Sequence, residues 1–167
     1  MARTPRWEPA YCEFFVARQR SFMRTAYAML GSWAAAEDAT QQTFTALYSK
    51  WPGIAPDKIE AYARRVLVNT CFAVYRQRAR EVLVDTPPEG GTWVDHDERL
   101  ALLAALQQLS PRDRAVLALR FLDDLPVAEV ADLLGVAEGT VKSQTARALD
   151  TLRRHLPTLV PALEELP

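Results

Sequence analysis

At 167 residues, 49% hydrophobic and 25% charged, with a formal net charge of -1, the chain can bury one ordinary core or two small ones. That balance excludes wholesale disorder and a uniformly basic nucleic-acid binder. No apolar run reaches about eighteen residues, and MARTPRWEP has no signal-type apolar core behind it, which predicts a cytoplasmic protein with no membrane contact.

In chain order, Phe15, Phe22, Ala26, Met29 and Leu30 set out the apolar stripe of a first helix that Gly31 ends. A second helix runs from about residue 34 to 51. Ala36, Thr40, Phe44, Leu47 and Trp51 point inward, Asp38, Gln41, Gln42 and Thr45 outward, and Pro52-Gly53 stop it. A third covers about 59 to 80, with Ile59, Ala63, Val66, Leu67, Thr70 and Val74 as its buried seam. From Lys58 to Arg80 six basic residues face the single acid Glu60, whereas 81–98 hold six acids and no base together with Pro87-Pro88 and Gly90-Gly91. Those prolines and glycines mark an acidic linker between two helical lobes.

Beyond it, Leu100 to Leu109 form a short helix. Ser110-Pro111-Arg112-Asp113 then start another, with Ser110 as cap, Pro111 at the first helical position and Asp113 reaching back as a capping-box partner. Ala115, Val116, Leu119 and Phe121 are its core positions, and Asp123 to Pro126 start the next helix. VAEVADLL, then Gly135 for a left-handed turn, Val136 as a plug and Glu138 at a new helix start are the parts of a helix-turn-helix. Ala137 is a poor cap. In the helix that follows, Val141, Thr145, Ala148, Leu149 and Leu152 turn inward. Ser143, Arg147, Asp150 and Arg154 turn outward, flanked by Thr140, Lys142 and Gln144.

A major groove admits one helix. Side chains near its N-terminus meet base edges, and later cations such as Arg153 and Arg154 hold phosphate. Glu138, Thr140, Lys142, Ser143, Gln144, Arg147 and Arg154 are therefore the candidate duplex-reading set. An ordinary helical hairpin with a solvated face fits the same spacing. On the third helix Arg65, Asn69, Phe72 and Arg76 share the face opposite the seam, with Arg64 and Arg78 beside them. Cations with an outward aromatic suit single-stranded nucleic acid, although Phe72 packed on a neighbouring helix is the plain alternative. Cys12 and Cys71 are too few and too far apart for a disulfide framework or metal site, and read as reduced core thiols. His96 sits in the linker and His155 at a helix end, so no catalytic or metal constellation appears; the chain reads as a non-enzyme without cofactor or metal.

Three stretches together resemble the extracytoplasmic-function sigma factors of the sigma-70 family, in their small actinobacterial SigE-like branch: AAAEDATQQTFTALYSKW, AYARRVLVNTCFAVYRQRAR, and LSPRDRAVLALRF followed by VAEVADLLGVAEGTVKSQTARAL. The resemblance implies an all-α protein of two small helical domains. Residues 10–80 would form sigma region 2, 81–98 the linker, and 99–157 the region 4 helix-turn-helix. Asp38, Gln41, Gln42 and Phe44 would meet the polymerase β′ clamp helices. Arg64, Arg65, Asn69, Phe72, Arg76 and Arg78, with the 51–58 loop, would hold the melted minus-ten strand and a base turned out of it. The 138–155 helix would read the minus-thirty-five duplex. Implied partners are core RNA polymerase (β′ clamp helices and β flap), promoter DNA and an anti-sigma factor. Ala73 in the minus-ten segment and Gln144 in the recognition helix depart from the residues commoner in the family, which implies altered base preferences, and Gln42 replaces a commoner acid in the polymerase-binding motif. A free-standing helix-turn-helix regulator is the alternative, and it would leave the 34–51 helix and the Arg65–Phe72 face without a task.

Overall fold

The structure, a computed structural model, describes residues 4–78 and 96–156, with no strand among them. The acidic linker as far as residue 95, Arg80, the His96 side chain and the tail from 157 lie outside the described residues.

Three helices make the N-terminal lobe: α1 (Glu8–Leu30), α2 (Trp33–Lys50) and α3 (Ile59–Arg78). Gly31 ends α1 at φ 66°, in the left-handed region, its N–H returned to the Tyr27 carbonyl. Ser32 then caps α2 by accepting from the Ala35 amide at 3.3 Å. Two short 3-10 turns, Trp51–Gly53 and Pro56–Lys58, lead into α3. The core here is aromatic: Phe44 of α2 meets Phe15 and Phe22 of α1 at ring-centroid separations of 4.7 and 5.6 Å. The buried Thr40 and Thr43 hydroxyls donate to the carbonyls of Ala36 and Ala39, which lets α2 bury polar residues without leaving them unpaired.

Four helices follow: α4 (His96–Gln107), α5 (Pro111–Leu117), α6 (Val127–Leu134) and α7 (Glu138–His155). Helix α4 starts four residues before its expected Leu100, so the end of the supposed linker is helical. Ser110 caps α5 as expected, accepting from the Asp113 amide at 3.1 Å. After α5 the chain widens into a π-helical turn, Ala118–Leu122, and reverses at Asp124, which has a positive φ of 53°. Gly135, at φ 64°, makes the tight helix-turn-helix joint, and the Val136 amide donates to the Ala131 carbonyl.

One apolar cluster joins the two lobes. It runs from Phe22, Ala26 and Met29 of α1 and Leu67, Val68 and Cys71 of α3 into Val116, Leu119, Val130 and Val141 of the C-terminal helices. Leu106, Leu109, Leu117, Ala148 and Leu152 form a second cluster among α4, α5 and α7. Helix α3 therefore buries a wider arc than the single seam its sequence suggests. Ala63 and Leu67 are buried as expected, Val66, Thr70 and Val74 only partly, and Val68 and Cys71 are buried because α5 and α6 lie against α3. Cys12 is exposed, contrary to its expected place in the core: it lies on the solvent side of α1, while Tyr11 and Phe15 face α2.

Candidate nucleic-acid interface

Helix α7 presents the expected outward face. Glu138, Lys142, Ser143, Arg147, Asp150 and Arg154 are exposed, Thr140 and Gln144 half-buried, and Val141, Ala148 and Leu152 buried. Ala137 offers no side-chain cap, so Glu138 in the first turn supplies the favourable charge. Arg147 is not a free reading group. Its Nη2 and Nε donate to Asp113 Oδ1 and Oδ2 at 2.7 and 3.2 Å, a bidentate pair in which Arg147 is 62% exposed and Asp113 only 7%. That pairing strengthens the hold of Arg147 on its proton. It also takes the carboxylate expected to complete the capping box: Asp113 ties α5 to α7, and the Arg147 edge carrying Nε is committed. Arg154 pairs with Asp150 one turn away at 3.0 Å, both exposed, a contact of small energetic weight. Lys142 has no ion pair among the described residues, which leaves its charge available to phosphate.

The α3 face is divided. Arg65, Asn69 and Arg76 are exposed, whereas Phe72 is half-buried against the shared core, so the stacking surface expected to point outward is only partly open. Arg64 departs further from a solvent-facing cation. Its Nη2 pairs with Glu60 at 2.9 Å, its Nε with Asp123 at 3.4 Å, and its side chain is largely covered. Arg78 is half-buried at the end of α3. In the 51–58 loop Trp51 is a core residue, and Pro52, Gly53 and Ala55 to Lys58 are exposed.

On α2, Asp38, Gln41 and Gln42 are exposed and line a shallow groove with Thr45, Ala46 and Ser49, the Gln42 amide donating to Asp38 at 2.7 Å. Phe44 has to be withdrawn from the polymerase-contacting set. It is 3% exposed and enclosed by Phe14, Phe15 and Phe22, because its position on α2 faces α1 rather than solvent.

Sequence reasoning missed the groups that join the lobes. Asp123, its side chain 3% exposed, accepts from Thr25 of α1 at 2.8 Å and from Arg64 of α3. Arg114 of α5, 2% exposed, holds its guanidinium carbon 5.1 Å from the centre of the Tyr75 ring and donates to Gln107 at 2.7 Å. Burial pulls the Arg114 pKa below its ordinary value, against the opposing influence of Tyr75. The Gln107 amide lies against Gly31, where a Cβ would meet it, so that glycine serves both the turn and the approach of α4. No group of metal-ligating side chains and no helix long and apolar enough to cross a membrane occurs among the described residues.

A family model for sigma-70 region 2 matches residues 14–81, and one for sigma-70 region 4 matches 99–152. The RNA polymerase sigma-E factor of Streptomyces antibioticus is 35% identical over 152 residues, covering 87% of this chain and 84% of the relative. The ECF RNA polymerase sigma factor SigE of Mycolicibacterium smegmatis is 31% identical, covering 89% and 62%. Among solved structures, the sigma factor RpoE of Bartonella quintana, crystallised with the anti-sigma factor NepR, matches with a TM-score of 0.78 at 21% identity, over 89% of this chain and 98% of that one. The chain belongs to the sigma-70 family of RNA polymerase sigma factors, in its extracytoplasmic-function group. Such proteins are not enzymes; they join core polymerase to promoter DNA.

Proposed function

We propose that this sigma factor reads the minus-thirty-five duplex with α7 and holds the melted minus-ten strand with α3 and the 51–58 loop, acting in the cytoplasm. The observation that carries the reading is the polar face of α7. It is exposed at Glu138, Lys142, Ser143, Arg147, Asp150 and Arg154 with Thr140 and Gln144 half-buried, stands on a helix-turn-helix, and its early residues Lys142, Ser143 and Gln144 fall where a groove-bound helix meets bases. Arg147 positions α7 through Asp113 and adds charge near phosphate. Arg65, Asn69 and Arg76, with the accessible part of Phe72, track and stack on the unpaired strand. Arg64 and Arg78 flank that track. Duplex opening is then driven by binding to exposed bases.

Asp38, Gln41 and Gln42 form the polymerase-facing surface of α2, on the side of the helix away from the aromatic core. Residues 10–80 and 99–157 act as the two functional units, joined by the acidic segment. An anti-sigma partner, as in the Bartonella quintana complex, would work by covering these surfaces. The test is reconstituted transcription. With core polymerase the chain should start transcripts at a defined point of a cognate promoter, and Lys142→Ala and Gln144→Ala should weaken use of the upstream element. Unchanged promoter use by both variants would refute the assignment of α7.

A further inference from the structure

We propose that Asp113 holds Arg147 so that its free edge reads a guanine in the minus-thirty-five duplex, with Arg147 as the specificity-determining residue and Asp113 as its positioning residue. This rests on the reading of α7 given above, which leaves Arg147 a charge near phosphate, and adds a base to it. A guanidinium can donate a parallel pair of N–H groups along either of two edges, one carrying Nε and Nη2, the other Nη1 and Nη2. Asp113 occupies the first, at 3.2 Å from Nε and 2.7 Å from Nη2. Nη1 has no partner among the described residues, so the second edge is open. Guanine carries the matching pair of acceptors, O6 and N7, on its major-groove side, and no other base does.

The two partners differ in the way this task needs. Asp113 belongs to α5 and its side chain is 7% exposed, whereas Arg147 on α7 is 62% exposed. The carboxylate is therefore an anchor held by a different helix, its own amide donating to Ser110, and the guanidinium stands out from it toward solvent. Arg147 follows Ser143 by four residues and Gln144 by three, which places it one turn further along the same face. The nearer of the two acids on α7, Asp150, pairs with Arg154 at 3.0 Å and does not compete for it. Freezing a long side chain on binding costs conformational entropy, and the Asp113 pair meets much of that cost before DNA arrives. Lysine at this position would keep the charge and lose the planar fork.

The experiment uses the full chain with core polymerase on a cognate promoter whose minus-thirty-five element is randomised, and sequencing of the transcribed templates gives the base preference at each position. Wild type should favour guanine at one position by roughly tenfold, the discrimination expected of a bidentate pair. Arg147→Lys and Arg147→Ala should both erase that preference while the preferences at other positions persist. Asp113→Asn, which keeps the shape and loses one acceptor, should reduce it. Circular dichroism fixes a temperature at which each variant is folded, and transcription is measured there; if Asp113→Asn does not fold, Arg147→Lys decides. A lysine variant that keeps the guanine preference, an alanine variant that weakens all sequences alike, or a wild-type profile without that preference overturns the proposal. So does a folded Asp113→Asn with the wild-type profile. Lys142→Ala and Gln144→Ala are run in parallel. If they alter the profile and the Arg147 variants do not, only this assignment fails; if neither set does, the reading of α7 falls with it.

Discussion

Replacing Phe44 by alanine distinguishes a core residue from a polymerase contact. The ring is 3% exposed and lies 4.7 Å from Phe15, 5.6 Å from Phe22 and 6.4 Å from Phe14, centroid to centroid. Each such aromatic pair contributes about 0.5–1.5 kcal/mol beyond burial, and phenylalanine-to-alanine changes in packed cores cost about 3–5 kcal/mol with the cavity included. Tyr11, whose hydroxyl donates to the Phe44 carbonyl at 3.0 Å, keeps that bond because it uses the backbone, so the loss falls on packing. For a domain of this size each kcal/mol moves the melting midpoint by about 2–4 °C, giving a drop of about 6–20 °C. Urea titration should show the midpoint falling with little change in slope. Phe44→Leu, which keeps most of the apolar volume, should lose far less and retain polymerase binding at a temperature where it is folded. A stability loss under about 1 kcal/mol for Phe44→Ala, with polymerase affinity abolished, would refute the packing argument and restore Phe44 as a contact.

Three further outcomes follow from single positions. Gly135→Ala meets nothing within 4 Å, so its cost is purely that of a left-handed alanine, about 1–2 kcal/mol in denaturant titration; a neutral effect would mean that the turn relaxes. Burial pushes the Cys71 thiol up to about 12, while Cys12 is exposed, so a thiol reagent near neutral pH should modify Cys12 alone until the chain unfolds. Equal rates at the two sites would contradict the packing of α3. Burial, the largest influence, raises the Asp123 pKa above 3.8 against the pull of Thr25 and Arg64, with Glu60 adding to the rise. The folded chain therefore keeps a proton that the unfolded chain has lost. Its stabilising effect is complete below the unfolded value and disappears as pH rises through the folded one. Relative to Asp123→Asn, which mimics the protonated form, wild type should lose stability as pH climbs above the ordinary aspartate range, and a difference that grows the other way would reverse the assignment.

The helices themselves were legible in the sequence, because each carries its own periodic stripe and local stop: Gly31, Ser110 and Gly135 sit at the boundaries they predict. The outward face of α7 was legible for the same reason. The closure of the two lobes was not. Asp123 contacts residues 98 and 59 positions earlier in the chain, and no periodicity reports a pairing across such a distance. A signal was nevertheless present on α3, where Val68, Cys71, Phe72 and Tyr75 add a second apolar arc beyond what one seam needs. Of that arc only Phe72 was read as part of a nucleic-acid face and Cys71 as a core thiol, because the helices that lie against the arc come from beyond the linker. Phe44 shows the opposite error: its inward position was plain from spacing, yet the motif it belongs to drew it into a list of surface contacts. Arg147 lies between these cases. Its face was predicted correctly, but its partner Asp113 had been assigned to a cap, since an aspartate at that position reads locally and a salt bridge to a helix further along does not.

The account stands or falls on whether α7 and α3 reach the two promoter elements in one complex. Photo-crosslinkers placed at Gln144 and at Phe72, in the chain bound to core polymerase on a cognate promoter, should mark the minus-thirty-five duplex and the minus-ten non-template strand respectively. Crosslinks from Gln144 to polymerase instead of DNA, or from Phe72 to the C-terminal helices in the open complex, would contradict it.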